Sequence, residues 1–248
     1  EDVLAQTTPD SVITVYGTAV ASEYVKMGGM EVFPTQIVLE SAADALPIIR
    51  EGIPATKKKA AVERSAIDSR LDYRWIDLRT ERNQLIFKAQ TVLAKALRDF
   101  LLERNFLEIH TPKLIGAASE SGSDVFAVKY FDTTAYLAQS PQFYKQMAMA
   151  SGFERIFEVG PVFRAEKSFT SKHTTEFSGF DLEFSFIESY QDVMALEAEI
   201  LTYALGKVKE KYGEEIEKVF GKPVIVPTLP FPQIKLRDLY DELEKEFG

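Results

Sequence analysis

The sequence predicts an α+β fold: an antiparallel sheet with flanking helices, preceded by the C-terminal part of a small β-barrel. Two observations favour this fold. Two runs rich in β-branched residues open the chain, and several strand-like runs then follow one another with helices of varied length between them, which argues against regular βαβ alternation. With 248 residues, 46% of them hydrophobic, the chain can bury the core of one large domain, or of one large and one small domain.

The composition excludes several classes of protein. A formal net charge of −9 argues against a general polyanion binder, so any contact with nucleic acid is expected to be local. The chain has no cysteine and only two histidines, which excludes disulfides and disfavours a metal site built from these residues. No run of about 18 apolar residues occurs, so we expect a cytoplasmic protein without a membrane segment. Because the sequence starts at Glu1 rather than Met, we expect further residues upstream.

The first two strands are expected to form a hairpin. SVITVYGTAV (11–20) and MEVFPTQIVLES (30–41) are rich in β-branched residues and flank KMGG, which is a turn signal. Two strands bury little on their own, so residues 1–50 are expected to be the end of a barrel. Residues 51–82 are polar with charges of alternating sign, which indicates a hinge before a larger domain over residues 83–248.

The larger domain is expected to begin with a long amphipathic helix. In TERNQLIFKAQTVLAKALRDFLLERNF the apolar residues recur at spacings of three and four. Pro112 in the following LEIHTPKLI stops regular structure. DVFAVKYFDTTAYLAQ predicts two strands around an FDTT turn, and SPQFYKQMAMAS predicts a helix with Ser140 as N-cap and Pro141 at its first position.

Two more strands and a second long helix complete the pattern. RIFEVGPVFRAE and FSGFDLEFSFI are the expected strands. A capping-box spacing between Ser189 and Asp192 predicts a helix from Tyr190 to about Tyr212. The later GKPVIVPTLPFP is expected to be an extended loop segment.

Ionisable residues are concentrated in FRAEKSFTSKHTTEFSGFDLEF, which joins these last two strands. Strand alternation groups them on one face, to which the first strand contributes Arg164 and Glu166 and the second contributes Phe177, Gly179, Asp181 and Glu183. Burying such groups without partners is costly, so the face is either wet or binds a ligand of matching charge. An Arg fork suits a phosphate, a Phe ring suits a purine, and an Asp suits an ammonium group, which together describe ATP beside an amino acid.

The same residues carry a resemblance to a known family. FRAE…H..EF…D.E resembles motif 2 of the class II aminoacyl-tRNA synthetases, and FLEIHTPKL resembles motif 1 with its proline at Pro112. LAQSPQFYKQ and SESGSDVF are similar to the aspartyl-tRNA synthetase pattern of archaeal and eukaryotic type. The hairpin and RLDYRWIDLRT resemble the end of that family's OB-fold anticodon-binding domain and its hinge. The resemblance covers nearly the whole chain in the family's order.

The resemblance implies activation of L-aspartate with ATP to aspartyl-adenylate and transfer to tRNA-Asp, with tRNA-Asn left open as a second acceptor. It implies ATP contacts at Arg164, Glu166, Lys172, His173, Thr174 and Phe177. Arg164 would be the catalytic cation at the α-phosphate, and Phe177 would stack under adenine. Lys172 stands where relatives commonly have Arg, so the contact with the γ-phosphate is expected to differ.

The resemblance also implies aspartate contacts at Glu120, Gln142, Lys145, Arg164 and Asp181. Lys145 would pair with the side-chain carboxylate of aspartate, and Gln142 lies three residues earlier on the same helix face. Asp181 would orient this pair, and Glu120 would meet the α-ammonium group. Taken singly, Lys145 is typical of a solvated lysine, and the two acids are typical of ordinary structural residues. Only the ordered combination favours a function.

A homodimer with Pro112 at its interface is implied as well, together with Mg²⁺ beside the ATP. No third motif precedes LYDELEKEFG, so the sequence as given is expected to lack a complete active site, with no metal ligands of its own. Three alternatives stay open. An asparaginyl-tRNA synthetase is disfavoured because Lys145 offers a cation to a neutral amide. A synthetase-like enzyme that adenylates aspartate without tRNA is disfavoured by the hairpin and hinge, and the third alternative is a non-catalytic tRNA-binding fragment.

Overall fold

A computed structural model of the chain describes residues 2–25, 28–52, 61–118, 124–167, 170 and 173–247. The chain divides into two compact units, Glu1–Gln84 and Leu85–Gly248. None of the helices in the described ranges is long and apolar enough to cross a membrane.

The first unit is built on the predicted hairpin. After a short helix α1 (Asp2–Gln6), strands β1 (Val12–Ala21) and β2 (Met30–Ser41) pair antiparallel from Val12↔Ser41 to Ala21↔Met30. Gly28 and Gly29 have φ of 74° and 63°, left-handed values that glycine adopts without strain, so the predicted turn is confirmed at its glycines. Residues 53–60, which belong to the predicted hinge, lie outside the described residues. Two short helices that the sequence did not predict follow, α2 (Ile67–Asp72) and α3 (Arg74–Asp77).

Asp77 is a buried acid of α3, and it also contacts the start of the next helix. Asp77 is fully buried, and three arginines surround its carboxylate: Arg64 at 2.9 Å, Arg70 at 3.5 Å, and Arg74 in direct hydrogen-bond contact. The backbone carbonyl of Asp77 accepts a 2.6 Å hydrogen bond from Nδ2 of Asn83. Burial alone would raise the pKa of the Asp77 carboxyl, but the hydrogen bonds and charges of the arginines hold that pKa below its usual value.

The second unit contains the predicted elements in their predicted order, together with three that the sequence did not predict. Its helices and strands are α4 (Glu81–Leu102, which begins in the first unit), β3 (Leu107–Glu108), β4 (Leu114–Ile115), β5 (Ala127–Tyr130), β6 (Thr133–Leu137), α5 (Gln142–Ala150), β7 (Arg155–Phe163), β8 (Glu176–Phe184), α6 (Tyr190–Phe220) and α7 (Leu236–Phe247). The elements that the sequence did not predict are β3, β4 and α7. The strands form two three-stranded sheets, with strand orders β3-β7-β8 and β4-β6-β5. All the pairs are antiparallel except β3 with β7, which is parallel over two residues, so the predicted antiparallel sheet contains one short parallel edge.

Three predicted boundaries are wrong, and two of them concern helices. Pro141, not Ser140, is the N-cap of α5, and the Ser140 hydroxyl accepts a 3.3 Å hydrogen bond from the backbone N–H of Gln142. Helix α6 does not end near Tyr212 but runs to Phe220, and Gly221 with φ of 70° supplies the left-handed C-cap. Its N-terminal capping box at Ser189 is confirmed.

The third boundary concerns the polar end of β7. The strand stops at Phe163, so Arg164 and Glu166 lie just beyond it rather than on its face. The backbone N–H of Arg164 still donates to the carbonyl of Thr175 at 3.0 Å, which continues the pairing by one residue.

The core of the second unit lies on one face of β7 and β8. Phe100 and Leu101 of α4 pack with Phe106, Phe157 and Ile200 as its buried cluster. Val159, Leu182 and Phe184 complete this face. Because strand side chains alternate, the residues between them must face the other side of the sheet.

Candidate functional site

The second face of β7 and β8 carries polar residues and glycines. In the strand register Glu158 lies opposite Asp181, Gly160 opposite Gly179, and Val162 opposite Phe177. Directly opposed residues project to the same face of a sheet. The four residues expected on one face of β8, Phe177, Gly179, Asp181 and Glu183, therefore lie at alternate positions opposite to the core.

Helix α5 covers part of this face and brings Lys145 to it. Lys145 is only 4% exposed, and its Nζ donates to Oδ1 of Asp181 at 2.6 Å and to the carbonyl of Leu182 at 3.1 Å. Oε2 of Glu183 lies 3.3 Å from the same Nζ. A buried cation is tolerated only with such partners. The side chains of Asp181 and Glu183 remain 34% and 29% exposed, so the charged cluster opens toward solvent on its acidic side.

Two facing glycines, Gly160 and Gly179, leave this face without side chains of its own beside the cluster. A Cβ built on Gly179 would meet only Oδ2 of Asp181, at 3.6 Å, which is ordinary van der Waals contact. The fold therefore does not require glycine there. Gly160 and Gly179 form what we call the glycine floor, a strip of partly exposed backbone next to Asp181 without side chains of its own.

Arg164 and Phe177 lie at the far end of the glycine floor. The guanidinium carbon of Arg164 is 5.7 Å from the centroid of the Phe177 ring, within cation–π range. Phe177 is 39% exposed, so one aromatic surface is available for stacking. A cation beside an exposed ring suits the phosphate and base of a nucleotide.

A cleft of about 890 Å³ continues from this point. It is lined by Asp124, Val125, Phe126, Ala165, Glu166, Lys167, His173, Thr174 and Thr175. The backbone N–H of Ala165 donates to the carbonyl of Asp124 at 3.1 Å and holds its two walls together. The structure thus brings Glu166, His173 and Thr174 together in one cleft, as expected of residues predicted to share a ligand. Nδ1 of His173 is 2.6 Å from the hydroxyl of Thr170.

The remaining predicted residues have different positions. Gln142 is the first residue of α5, half-buried and one turn before Lys145. Pro112 is exposed, between β3 and β4. Glu120 and Lys172 lie outside the described residues.

Sequence reasoning missed a buried network next to the site. Glu158 is 2% exposed, and its carboxylate accepts hydrogen bonds from the backbone N–H of Thr111 (2.9 Å), the Thr111 hydroxyl (2.7 Å) and Nζ of Lys113 (2.7 Å). Burial would raise the pKa of Glu158, but the hydrogen bonds from Lys113 and Thr111 hold it below its usual value. The available signal was an acid at the centre of an apolar strand, RIFEVGPVF, because a buried acid needs partners.

Residues 66–246 match the family model described as tRNA synthetases class II (D, K and N). The chain belongs to this family. Among curated members, an aspartate--tRNA(Asp/Asn) ligase of Methanopyrus kandleri is 45% identical over 239 residues, covering 96% of this chain and 53% of the relative. An aspartate--tRNA(Asp) ligase of Thermococcus kodakarensis is 38% identical over 241 residues, covering 96% and 52%. The chain thus spans about half the length of the curated relatives it matches.

Solved structures of this class II family agree with the fold. An asparaginyl-tRNA synthetase of Pyrococcus horikoshii, complexed with asparaginyl-adenylate, superimposes with a TM-score of 0.83 at 30% identity, covering 100% of this chain and 54% of that one. An aspartyl-tRNA synthetase of Entamoeba histolytica gives a TM-score of 0.73 at 30% identity, covering 96% and 50%. The predicted α+β fold of the class II type is therefore confirmed.

Class II synthetases generally use ATP with Mg²⁺. Within the described ranges, no three acidic or histidine side chains converge as metal ligands. Two acids, Asp124 and Glu166, line the cleft, whereas the acids on the neighbouring strand face are engaged with lysines, as Asp181 is with Lys145 and Glu158 with Lys113. No step below depends on a metal.

Proposed function

We propose that the intact protein containing this chain is an aspartate--tRNA ligase. It would activate L-aspartate with ATP to form aspartyl-adenylate and pyrophosphate, and then transfer the aspartyl group to tRNA-Asp. The observation that carries the proposal is the buried Lys145 beside the glycine floor. A fixed cation beside open backbone is what a ligand with a side-chain carboxylate requires.

In this proposal the aspartate side chain binds to Lys145, and Asp181 orients the ammonium group of that lysine. Gln142 and Arg164 complete the contacts, together with Glu120, which lies outside the described residues. Lys145 already has two carboxylate neighbours, at 2.6 Å and 3.3 Å. The substrate carboxylate must therefore share Lys145 with Asp181 and Glu183, and a neutral amide in the same position would gain less from the cation.

ATP would occupy the other end of the cleft. Adenine would stack on the exposed ring of Phe177, and Arg164 would stabilise the negative charge that builds up at the α-phosphate during attack by the aspartate carboxylate. Glu166, His173 and Thr174 line the cleft that would receive the outer phosphates and the acceptor end of the tRNA. Lys172 would join them from outside the described residues, and the ligands of Mg²⁺ are proposed to lie outside this chain.

The domain organisation enters the proposal as follows. Residues 1–50 would be the last part of an OB-fold anticodon-binding domain, residues 51–82 the hinge, and residues 83–248 the first part of the catalytic domain.

The protein would be a cytoplasmic homodimer with Pro112 at the interface. The exposed Leu107 (53%) and Leu114 (49%) beside Pro112 support an interface there. Sedimentation of the intact protein at micromolar concentration would contradict the dimer if it gave only monomer.

The test is ATP–pyrophosphate exchange by the intact protein with aspartate, asparagine or lysine. Exchange with aspartate alone is expected, because Lys145 favours a carboxylate over an amide or a second cation. Exchange with asparagine instead would favour the asparaginyl activity named for the Pyrococcus horikoshii structure. Absence of exchange with all three would overturn the proposal and favour a non-catalytic tRNA-binding role. Charging assays with tRNA-Asp and tRNA-Asn then determine whether tRNA-Asn is a second acceptor.

A further inference from the structure

A second ion pair lies on the same face of β7 and β8 as the pair that holds Lys145. Glu158 lies at the centre of β7, and Lys113 lies in the segment between β3 and β4. Their side chains meet at 2.7 Å, and Thr111 donates two further hydrogen bonds to the same carboxylate. The Pro112 segment (Thr111–Lys113) is thereby fastened to the sheet on both sides of its proline.

The two ion pairs are neighbours across the strands. Glu158 lies directly opposite Asp181 in the register of β7 and β8. Opposed residues have Cβ atoms about 5 Å apart, and like charges in that position destabilise a sheet. Each acid has its own lysine, Lys113 for Glu158 and Lys145 for Asp181. The lysines balance a repulsion that the strand register makes unavoidable.

Lys113 also borders the glycine floor. A Cβ built on Gly160 would lie 3.5 Å from Nζ of Lys113 and 3.4 Å from Oε1 of Glu158. The Lys113 side chain is 24% exposed, so its ammonium group is not sealed in the core. A second cation therefore lies over Gly160, the partner of Gly179 in the glycine floor, and the predicted site did not include it.

We propose that Lys113 and Glu158 are positioning residues that set the net charge of the amino-acid subsite and thereby the affinity for aspartate. This inference rests on the proposed function. The two pairs with Glu183 comprise three carboxylates and two ammonium groups, a net charge of −1. Loss of the Lys113 charge makes the subsite more negative and repels the substrate carboxylate. Loss of the Glu158 charge has the opposite sign, because Asp181 is then relieved of its like-charged neighbour.

The experiment compares Lys113→Met, Glu158→Gln and the double variant in aspartate-dependent ATP–pyrophosphate exchange by the intact protein. Lys113→Met is expected to raise the KM for aspartate on the order of tenfold. Glu158→Gln is expected to lower that KM, and the double variant, which restores the original net charge, is expected to return it to within about threefold of the wild type. The KM for ATP should not follow these changes.

A matched control separates charge from fold. Lys207→Met and Glu210→Gln alter an exposed pair on α6, and are expected to leave both KM values unchanged. A merely structural role for Lys113 and Glu158 would reduce kcat in both single variants and further in the double variant. That result overturns the inference. An aspartate KM that changes in the same direction in both single variants overturns it as well.

Two other outcomes are distinguishable. Absence of exchange by the wild-type protein overturns the proposed function and this inference with it. Wild-type exchange with an unchanged aspartate KM in Lys113→Met overturns this inference alone. If Lys113→Met does not fold, Glu158→Gln decides: a lower aspartate KM supports the inference, and an equal or higher one overturns it.

Discussion

Two of the buried charges of this chain, Asp77 in the first unit and Lys145 in the second, differ in what surrounds them. Asp77 is enclosed by Arg64, Arg70 and Arg74, which complete its ion pairs without leaving the carboxylate exposed. Lys145 is nearly as buried, and its acidic partners are about a third exposed, similar to the 15–39% exposure of the arginines around Asp77. The difference is that Asp181 lies two positions from Gly179 on the same strand face, beside the glycine floor. A buried charge alone therefore does not identify a functional site. At Lys145 the open space next to the charge is what supports the proposed site.

The largest effect is expected at the Asp77 cluster, which is Asp77 with Arg64, Arg70 and Arg74. Asp77→Ala leaves three arginines without their shared acceptor, and should lower the free energy of unfolding by about 3–5 kcal/mol. Urea denaturation of the wild type and the variant measures this loss. Asp10→Asn is the control, because Asp10 pairs with Arg50 and Arg79 near the surface and asparagine tolerates its left-handed φ of 72°, so the change should cost under about 1 kcal/mol. Equal losses in the two variants would contradict the comparison.

At the Lys145 cluster, which is Lys145 with Asp181 and Glu183, a substitution should affect binding and catalysis more than stability. Lys145→Met is expected to lower kcat/KM for aspartate about 100-fold, which corresponds to about 2.7 kcal/mol. Loss of Lys145 leaves two like charges, Asp181 and Glu183, whereas loss of Asp77 leaves three, so the free energy of unfolding should fall less than in Asp77→Ala. Pyrophosphate exchange and urea denaturation measure the two effects, with Lys207→Met as the control. A variant that loses stability but keeps its kcat/KM would show that Lys145 is structural.

Gly179→Ala tests the open space itself. The added Cβ meets only Oδ2 of Asp181 at 3.6 Å, so the free energy of unfolding should not fall. The methyl group occupies the glycine floor, and the KM for aspartate or ATP should rise roughly tenfold. Gly206→Ala in α6 is the matched control, since its Cβ meets nothing within 4 Å and a helical alanine should add about 0.5–1 kcal/mol of stability without changing either KM.

The smallest difference between the two units is expected in how the free energy of unfolding falls at acid pH. The pKa values of Asp77 and Glu158 are both held below the usual range. Each carboxylate therefore contributes stability that is fully present above its unfolded-state pKa of about 4 and is lost as pH falls through the lower folded-state value. Glu158→Gln and Asp77→Asn should each flatten the fall in unfolding free energy between about pH 5 and pH 3. A variant with the same acid slope as the wild type would contradict the assignment for that residue.

Much of the fold could be predicted because its signals are local. The hairpin follows from β-branched runs around paired glycines, and α4 follows from apolar spacings of three and four. The predicted end of α6 near Tyr212 was too early, and the next residue, Gly213, does not end the helix. Its Cβ position is bordered only by the side chain of Lys209, and the helix continues to Gly221, whose positive φ does end it.

The site could be predicted only as far as its residues are close in sequence or carry the family motifs. Lys145 with Asp181, and Arg164 with Phe177, are brought together as expected. The contact between Lys113 and Glu158 joins residues separated by 45 positions, and no local pattern specifies such a partner. The parallel pairing of β3 with β7 that brings them together depends on tertiary packing rather than on propensity.

The glycine floor has a consequence for how variants of this protein would be selected. At Gly179 an alanine fits the folded chain without a clash, so a library screened for expression or solubility would retain it. A screen for growth or for aminoacylation would remove it. Comparing the residues recovered at this position in the two screens would therefore separate what folding demands from what the ligand demands, without a purified protein or a bound structure.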